Sequence, residues 1–296
     1  MIDIKLLEQL CLCNGISGDE VNVRNLIINE IKDCADDIKT DNLGNLIVFK
    51  KGKKSAKSKL MVSAHMDEVG LMVTDITSDG YLKFDEVGGI DRRVLPGKRV
   101  CVGRNGLNGV IGVKPIHLTN SDEKTAVPKM NDMYIDIGAE SREDALKYVN
   151  YGDGINFEGG FKINGKTVVT KALDDRFGCY VLINLIKSEP EYDMYFTFVV
   201  QEEVGLRGAR PAAFTVNPDF ALVIESTTAA DVAEVDASHQ VCNLSKGATV
   251  TVMDRATVYD KEMISAAFEL AEKNNIAVQY KRAVAGGNDS GAIHQS

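Results

Sequence analysis

Two adjacent carboxylates, Glu202 and Glu203, directly follow an apolar run and are the first candidates for chemistry. The run, Tyr195–Val200, is aromatic or β-branched almost throughout, which predicts a strand buried on both faces. Gly205 and Gly208 come next and predict a turn. Ligands of open α/β sheets bind at the carboxyl ends of the strands. One carboxylate could therefore hold a metal ion while its neighbour transfers protons.

Three further candidates follow apolar segments in the same way. They are His65, Asp174 and Glu225. Taken singly, these groups have ordinary structural alternatives: a hydrogen-bonded polar residue for His65, a helix N-cap for Asp174, and a solvated acidic loop for the Glu202–Glu203 pair. With Glu203, four such groups each follow the carboxyl end of an apolar segment, and together they favour a metal site. Imidazole with carboxylates suits zinc, cobalt or manganese.

The spacing of these residues also predicts separate roles. Asp174 is the candidate bridge between two ions, roughly 3.5–4 Å apart in two-metal hydrolases, because its neighbour Asp175 can take an orienting or capping role. Glu202 would be the free base, which takes a proton from the attacking water and returns it to the leaving amine. Asp67 could hold the imidazole of His65 in one orientation, with a turn hydrogen bond as its structural alternative.

Composition excludes several classes of partner. The chain of 296 residues carries 34 basic and 43 acidic residues, and its net charge of −9 argues against nucleic acid or anionic membrane as the main partner. Six scattered cysteines without a C-x-x-C motif predict reduced thiols of a cytoplasmic protein. We recognise no signal peptide and no run of membrane-spanning length.

The pattern of short segments predicts two parts of one catalytic α/β domain, residues 1–68 and 166–296, with strands alternating with helices in a largely parallel sheet. Between them, residues 69–165 carry short alternating β runs cut by glycines, which predicts an inserted barrel or sandwich.

Helical spacing and capping signals predict five helices. Ser17 and Glu20 fit a capping box at the start of the second helix. The predicted spans are 3–13, a helix after residue 20 that runs through 31, 141–149, 177–187 and 260–274.

Five motifs occur in order along nearly the whole chain. They are AHMDEVG at 64–70, KALDDRFGC at 171–179, QEEVGLRGA at 201–209, VIESTTAAD at 223–231 and GGNDSGAIH at 286–294. In sequence and order they resemble family 42 of the metallopeptidases, the glutamyl and tetrahedral aminopeptidases.

This resemblance implies a two-metal aminopeptidase that releases N-terminal residues from short peptides. It implies zinc or cobalt, with manganese as a further option, and a phosphorylase/hydrolase-like three-layer catalytic domain. The inserted β domain would form the contact of a dimer, and such dimers would pack into tetrahedral shells. The implied metal ligands are His65, Asp174, Glu203 and Glu225, with Asp174 bridging, Glu202 as the base and Asp67 as the supporting acid.

The resemblance also predicts a further segment of roughly forty residues after residue 296, about one strand and one helix. In the family that segment carries a Tyr-x-His whose histidine is the last metal ligand, a role that His294 does not take over. Without it, we expect one ion to be held weakly on the Glu203 side, and an edge or apolar face of the sheet to be exposed.

Two other functions remain as alternatives. A glycoside hydrolase, the activity implied by the endoglucanase label of some relatives, needs two carboxyl groups about 5–9.5 Å apart on opposite sides of a bond. It also favours aromatic platforms, and this chain has no tryptophan. A metal-free homologue that only binds or assembles is the second alternative.

Overall fold

The computed structural model describes residues 3–296, without the side chains of residues 123 and 124. The helices of this part of the chain are α1 (Ile4–Leu12), α2 (Val21–Ile31), α3 (Ser121–Thr125), α4 (Arg142–Ala145), α5 (Leu173–Lys187), α6 (Ala209–Val216), α7 (Lys261–Lys273) and α8 (Ser290–Ile293). Short 3-10 helices span Arg92–Val94, Ile116–Leu118, Met130–Asp132 and Ala237–His239.

The strands are β1 (Asp37–Thr40), β2 (Leu46–Lys50), β3 (Leu60–His65), β4 (Gly70–Ile76), β5 (Leu82–Val87), β6 (Arg99–Val102), β7 (Leu107–Val113), β8 (Met133–Asp136), β9 (Gly154–Phe157), β10 (Lys162–Asn164), β11 (Thr167–Val169), β12 (Met194–Val199), β13 (Phe220–Val223), β14 (Ala248–Val250) and β15 (Val278–Tyr280). With the helices they give an α/β fold, as predicted.

The main sheet has the order β1-β2-β12-β3-β13. Strands β12, β3 and β13 are parallel, but β1 and β2 are antiparallel to their neighbours. The prediction of a largely parallel sheet is therefore wrong for its first two strands. They form a hairpin, whose turn is fixed by the Asp41 side chain accepting from the backbone N–H groups of residues 43, 44 and 45.

Alternation along the strands gives the sheet two apolar faces. Phe196 and Phe198 of β12 pack with α1, α2 and α5, whereas Ile47 and Met61 of the neighbouring strands pack with α6 and α8. Strand β12 is thus covered on both sides, as its apolar sequence predicts. At the opposite edge, β13 leaves Phe220 and Leu222 about half exposed, at 51% and 45%.

One buried cation ties the N-terminal part to the start of α5. Arg176 is fully buried, and its guanidinium donates to the carbonyl oxygens of Leu10, Cys13, Gly15 and Met66 at 2.7–3.2 Å. Five N–H donors in a rigid fork allow one arginine to satisfy several backbone acceptors at once. The first turn of α5 is thereby held against both α1 and the end of β3.

Strands β4–β9 form a closed barrel of order β4-β5-β8-β7-β6-β9 with an apolar core of its own. All six strands lie inside the segment predicted to be an inserted β-rich domain, and their closure gives the barrel rather than the sandwich. The chain returns to the main sheet region through the β10–β11 hairpin and then enters α5.

The helix predictions hold in part. Four of the predicted helices match α1, α2, α5 and α7, whereas α4 is shorter than predicted although Ser141 caps it through the N–H of Asp144. Helices α3, α6 and α8 were not predicted. The capping box is wrong: α2 has no side-chain cap, because the Ser17 hydroxyl donates to Asp67 at 2.6 Å and does not accept from a backbone N–H of the helix.

Among the described helices, none has the length and apolar character that crossing a bilayer requires. All six cysteines are free thiols.

Candidate functional site

The site is centred on His65, the last residue of β3, whose side chain is 1% exposed. Its Nε2 lies 3.2 Å from Oε1 of Glu225, just beyond the end of β13. The same nitrogen lies 3.4 Å from Oδ1 of Asp174. One donor atom from each of the three residues lies within 4.8 Å of the other two. The structure therefore brings three of the four predicted ligands together.

Asp174 reaches this cluster by a route that the sequence does not predict. It does not follow a strand of the main sheet, because β11 pairs with β10 in a separate two-stranded hairpin of the described chain. Instead it lies in the first turn of α5, where Asp174 and Asp175 have non-helical backbone angles. Helix α5 packs on β3, so its first turn reaches the edge where His65 lies.

The neighbouring Asp175 orients this turn. It is fully buried, and Oδ1 accepts from the backbone N–H of Gly178 at 3.0 Å while Oδ2 accepts from the N–H of His65 at 3.4 Å. A Cβ at position 178 would lie 2.3 Å from the Asp175 carboxylate, so only glycine fits there. The predicted capping role of Asp175 is confirmed. Burial raises the pKa of this carboxyl well above its ordinary value.

Asp67 links the imidazole of His65 to the loop between β12 and α6, residues 200–208, which we call the acidic loop. Its backbone oxygen is 3.1 Å and its Oδ1 3.5 Å from Nδ1 of His65. The carboxylate also accepts from the hydroxyl of Ser17 and from the backbone N–H groups of Glu202 and Glu203 at 2.6–3.1 Å. Burial would raise the pKa of Asp67, but the hydrogen bonds and the charge of His65 outweigh it and lower that pKa.

The carboxylates of Glu202 and Glu203 lie on the loop beyond β12, outside the group of three. Burial, with the charges of Glu225, Asp289 and Glu203, raises the pKa of Glu202 to about 9. Burial likewise raises the pKa of Glu203 to about 7. Burial and the crowding of negative charge thus both favour the protonated form of these carboxyls, and a cation nearby would lower both pKa values.

The chemistry of the cluster fits a divalent cation. Oε2 of Glu225 is buried and has no hydrogen-bond partner among residues 3–296. Burial disfavours a protonated His65, yet hydrogen bonds with Asp174, Asp67 and Glu225 outweigh burial and raise its pKa well above 6.5. The pocket thus stabilises positive charge at this point, and imidazole with carboxylate oxygens is a donor set that zinc-like ions accept.

Sequence reasoning missed Asp289, which lies inside the last of the five motifs. It is fully buried, and neither carboxylate oxygen has a hydrogen-bond partner in the described part of the chain. Burial, with the charges of Glu225 and Asp67, raises its pKa to about 7. The motif marks the position, but nothing in a glycine-rich polar stretch indicates burial.

The remaining histidines lie elsewhere. His294 is exposed and its Nδ1 faces the backbone oxygen of Ser290 at 2.8 Å, so it does not join the cluster. Ser17 and Glu20, which the sequence assigns to a helix cap, instead form hydrogen bonds at the site. The Ser17 hydroxyl donates to Asp67, and the Glu20 carboxylate accepts from the backbone N–H of Gln201.

The chain is similar to several known proteins. The chain is 34% identical to a lysyl aminopeptidase of Pyrococcus furiosus over 94% of its own length and 81% of that protein. A TET1 peptidase from Pyrococcus horikoshii, whose structure is described as a tetrahedron or a large octahedral shell, is 40% identical, with a TM-score of 0.86 over 99% of this chain and 87% of that one. A structure described as an endoglucanase from Thermotoga maritima is 39% identical, with a TM-score of 0.82 over 95% and 84%.

The family profile of the M42 glutamyl aminopeptidases matches residues 44–296, which include all the candidate ligands. Members of this metallopeptidase family hydrolyse peptide bonds with the help of divalent metal ions. On the strength of this match and of its relatives, the chain belongs to the M42 family of aminopeptidases.

Proposed function

We propose that this protein is a two-metal aminopeptidase that removes N-terminal residues from short peptides. The observation that carries the proposal is the buried His65, flanked by Asp174 and Glu225 at 3.4 and 3.2 Å. The family and the lysyl aminopeptidase among the relatives support the reaction class. Helices on both faces of the sheet support the finer description of a phosphorylase/hydrolase-like three-layer domain, and free thiols support a cytoplasmic location.

His65, Asp174 and Glu225 would hold one ion, and Glu203 with Asp174 as the bridge would hold the second. Zinc or cobalt suits these donors best, and manganese is the next choice. When bound, such ions lower the pKa of a water molecule and polarise a carbonyl oxygen. The side chain of Asp174 is 53% exposed, so the site is open to a peptide on that side.

Glu202 is the proton carrier of this proposal. Its carboxyl group is largely buried beside the cluster, and its backbone is anchored through the N–H bond to Asp67. As the general base it takes a proton from the attacking water at its carboxylate and later delivers it to the leaving amine. Asp67 contacts both the imidazole of His65 and the backbone of this loop, which fixes the position of Glu202 relative to His65.

The geometry does not favour glycoside hydrolysis. The oxygens of Asp174 and Glu225 gather around one imidazole within 4.8 Å. Glycosidases instead place two carboxyl groups on opposite sides of the scissile bond, about 5–9.5 Å apart. The endoglucanase description applies to the Thermotoga maritima protein and is tested here by a polysaccharide arm of the assay.

The function is tested by incubating the purified protein with a panel of aminoacyl-anilides and, separately, with a soluble β-glucan. We expect anilide hydrolysis that a chelator abolishes and that cobalt, zinc or manganese restores. Full activity in metal-free protein would contradict metal dependence. Activity on the glucan alone would favour a glycosidase, and metal-loaded protein inactive on both would favour the binding homologue.

Replacing Glu202 by glutamine keeps the shape of the side chain but removes its ability to take a proton at neutral pH. We expect turnover of the best anilide to fall by about 10²–10⁴-fold, with the metal content unchanged. Mass spectrometry of the metal per chain is the control. Loss of metal in this variant would mean that Glu202, rather than Glu203, is the ligand.

Replacing His65 by alanine removes the one imidazole of the cluster. We expect the metal content per chain to fall, because neutral nitrogen donors contribute strongly to zinc and cobalt binding. His117→Ala, on an exposed 3-10 helix between barrel strands, is the matched control and leaves metal content unchanged. Equal metal content in the two variants would place the ion elsewhere.

We further propose that the inserted domain, residues 69–165, mediates assembly into dimers and tetrahedral shells. The assembly described for the Pyrococcus horikoshii peptidase and the separate core of the barrel support this role. Light scattering is expected to give an oligomer for the whole chain and smaller particles after residues 69–165 are replaced by a short linker. An unchanged subunit number in a deletion variant that retains its circular dichroism spectrum would rule this role out.

A further inference from the structure

We propose that Glu20 is a positioning residue for the reaction, one that fixes the backbone of the loop carrying the base. This inference rests on the proposed function of Glu202. Glu20 lies just before α2, far along the chain from the acidic loop, and the residue is buried, with 4% of its surface exposed.

The acidic loop presents three consecutive backbone N–H groups to two buried carboxylates. The N–H of Gln201 donates to Oε1 of Glu20 at 3.1 Å. The next two, from Glu202 and Glu203, donate to Oδ1 and Oδ2 of Asp67 at 3.0 and 3.1 Å. Glu20 therefore completes a row of acceptors of which Asp67 supplies the other two.

The backbone of Gln201 explains why an acceptor is needed at this point. Gln201 has a φ of 57°, in the left-handed region that residues other than glycine rarely adopt. A left-handed residue next to ordinary backbone turns successive N–H groups toward one side and creates a concave site for an anion. The Glu20 carboxylate lies at the first of these N–H groups.

Glu20 is itself fixed by the loop to which it belongs. Its Oε1 also accepts from the N–H of Gly18 at 2.7 Å, and Ser17 of the same loop donates to Asp67 at 2.6 Å. Residues 17–20 thus supply one of the two carboxylates and donate a hydrogen bond to the other. This long-range contact is the physical reason that Ser17 and Glu20 do not form the capping box that their spacing predicts.

The two ends of the acidic loop are held independently of Glu20. Asn45 accepts from the N–H of Val200 at 3.0 Å and donates to the carbonyl oxygen of Gly208 at 2.9 Å. Removing the Glu20 acceptor should therefore free the N–H of Gln201 and loosen the segment 201–203 at its start, while the N–H groups of Glu202 and Glu203 stay bonded to Asp67 and the loop remains attached to the sheet. Displacement of a catalytic group by about 1 Å can cost about 10²-fold in rate.

The test compares Glu20→Gln, which retains an acceptor oxygen, with Glu20→Leu, which has none. We expect the leucine variant to lose about 10²-fold in kcat with little change in KM or metal content. The glutamine variant is expected to stay within about threefold of the original protein, because its amide oxygen can accept both N–H bonds. Hydrogen exchange of peptides covering residues 198–208 is expected to be faster only in the leucine variant.

Glu30→Leu is the matched control, because it makes the same chemical change on α2, where Glu30 pairs with Lys187 near the surface. It is expected to change neither kcat nor exchange in the loop. If Glu20→Leu does not fold, Glu20→Met provides a flexible side chain of similar length without an acceptor oxygen.

Two results would overturn the proposal. The first is a folded Glu20→Leu or Glu20→Met variant with unchanged kcat and unchanged loop exchange. The second is a Glu20→Gln variant as impaired as the leucine variant, which would make the charge rather than the acceptor the important property. If the original protein hydrolyses no peptide, the proposed function fails, and the exchange comparison alone still decides whether Glu20 fixes this loop.

Discussion

The site depends on one fully buried carboxylate, that of Asp67. An unpaired charge would be costly in this position. The Asp67 carboxylate is stabilised by donors from three separate segments: Ser17, the His65 ring and the acidic loop. These donors can meet because β3 and β12 are adjacent and parallel, with Val199 opposite His65. Both strands therefore end at the same level, and the residues beyond each strand end face one another.

The sequence alone predicts much of this arrangement, because strand ends and polar motifs are local signals. The β-rich insert, four of the helices, and the meeting of His65 with Glu225 follow from such signals. Other features depend on partners far along the chain. Ser17 bonds to a residue 50 positions away, which a four-residue capping pattern cannot reveal. Asp174 reaches the cluster from a helix turn, and the burial of Asp289 depends on packing that its motif does not specify.

Arg176 explains how a ligand on a helix turn can be held as firmly as one on a strand. Its guanidinium satisfies carbonyl groups from α1, from the loop after it and from the end of β3, in a region without solvent. Hydrogen bonds from a charged donor are roughly twice as strong as neutral ones. The start of α5 is consequently fixed relative to His65 by charge-assisted bonds in addition to apolar packing.

The position of the barrel also bears on how the site forms during folding. His65 precedes the inserted barrel in the chain, and the turn with Asp174 and Asp175 follows it. His65 and Asp175 are 110 positions apart in the sequence. Closing so long a loop of flexible chain is slow and entropically unfavourable. Within the barrel, however, the first and last strands are partners, with Leu71 opposite Ile155. Once the barrel has closed, the chain segments on either side are already neighbours, so barrel formation shortens the search by which the two ligands find each other.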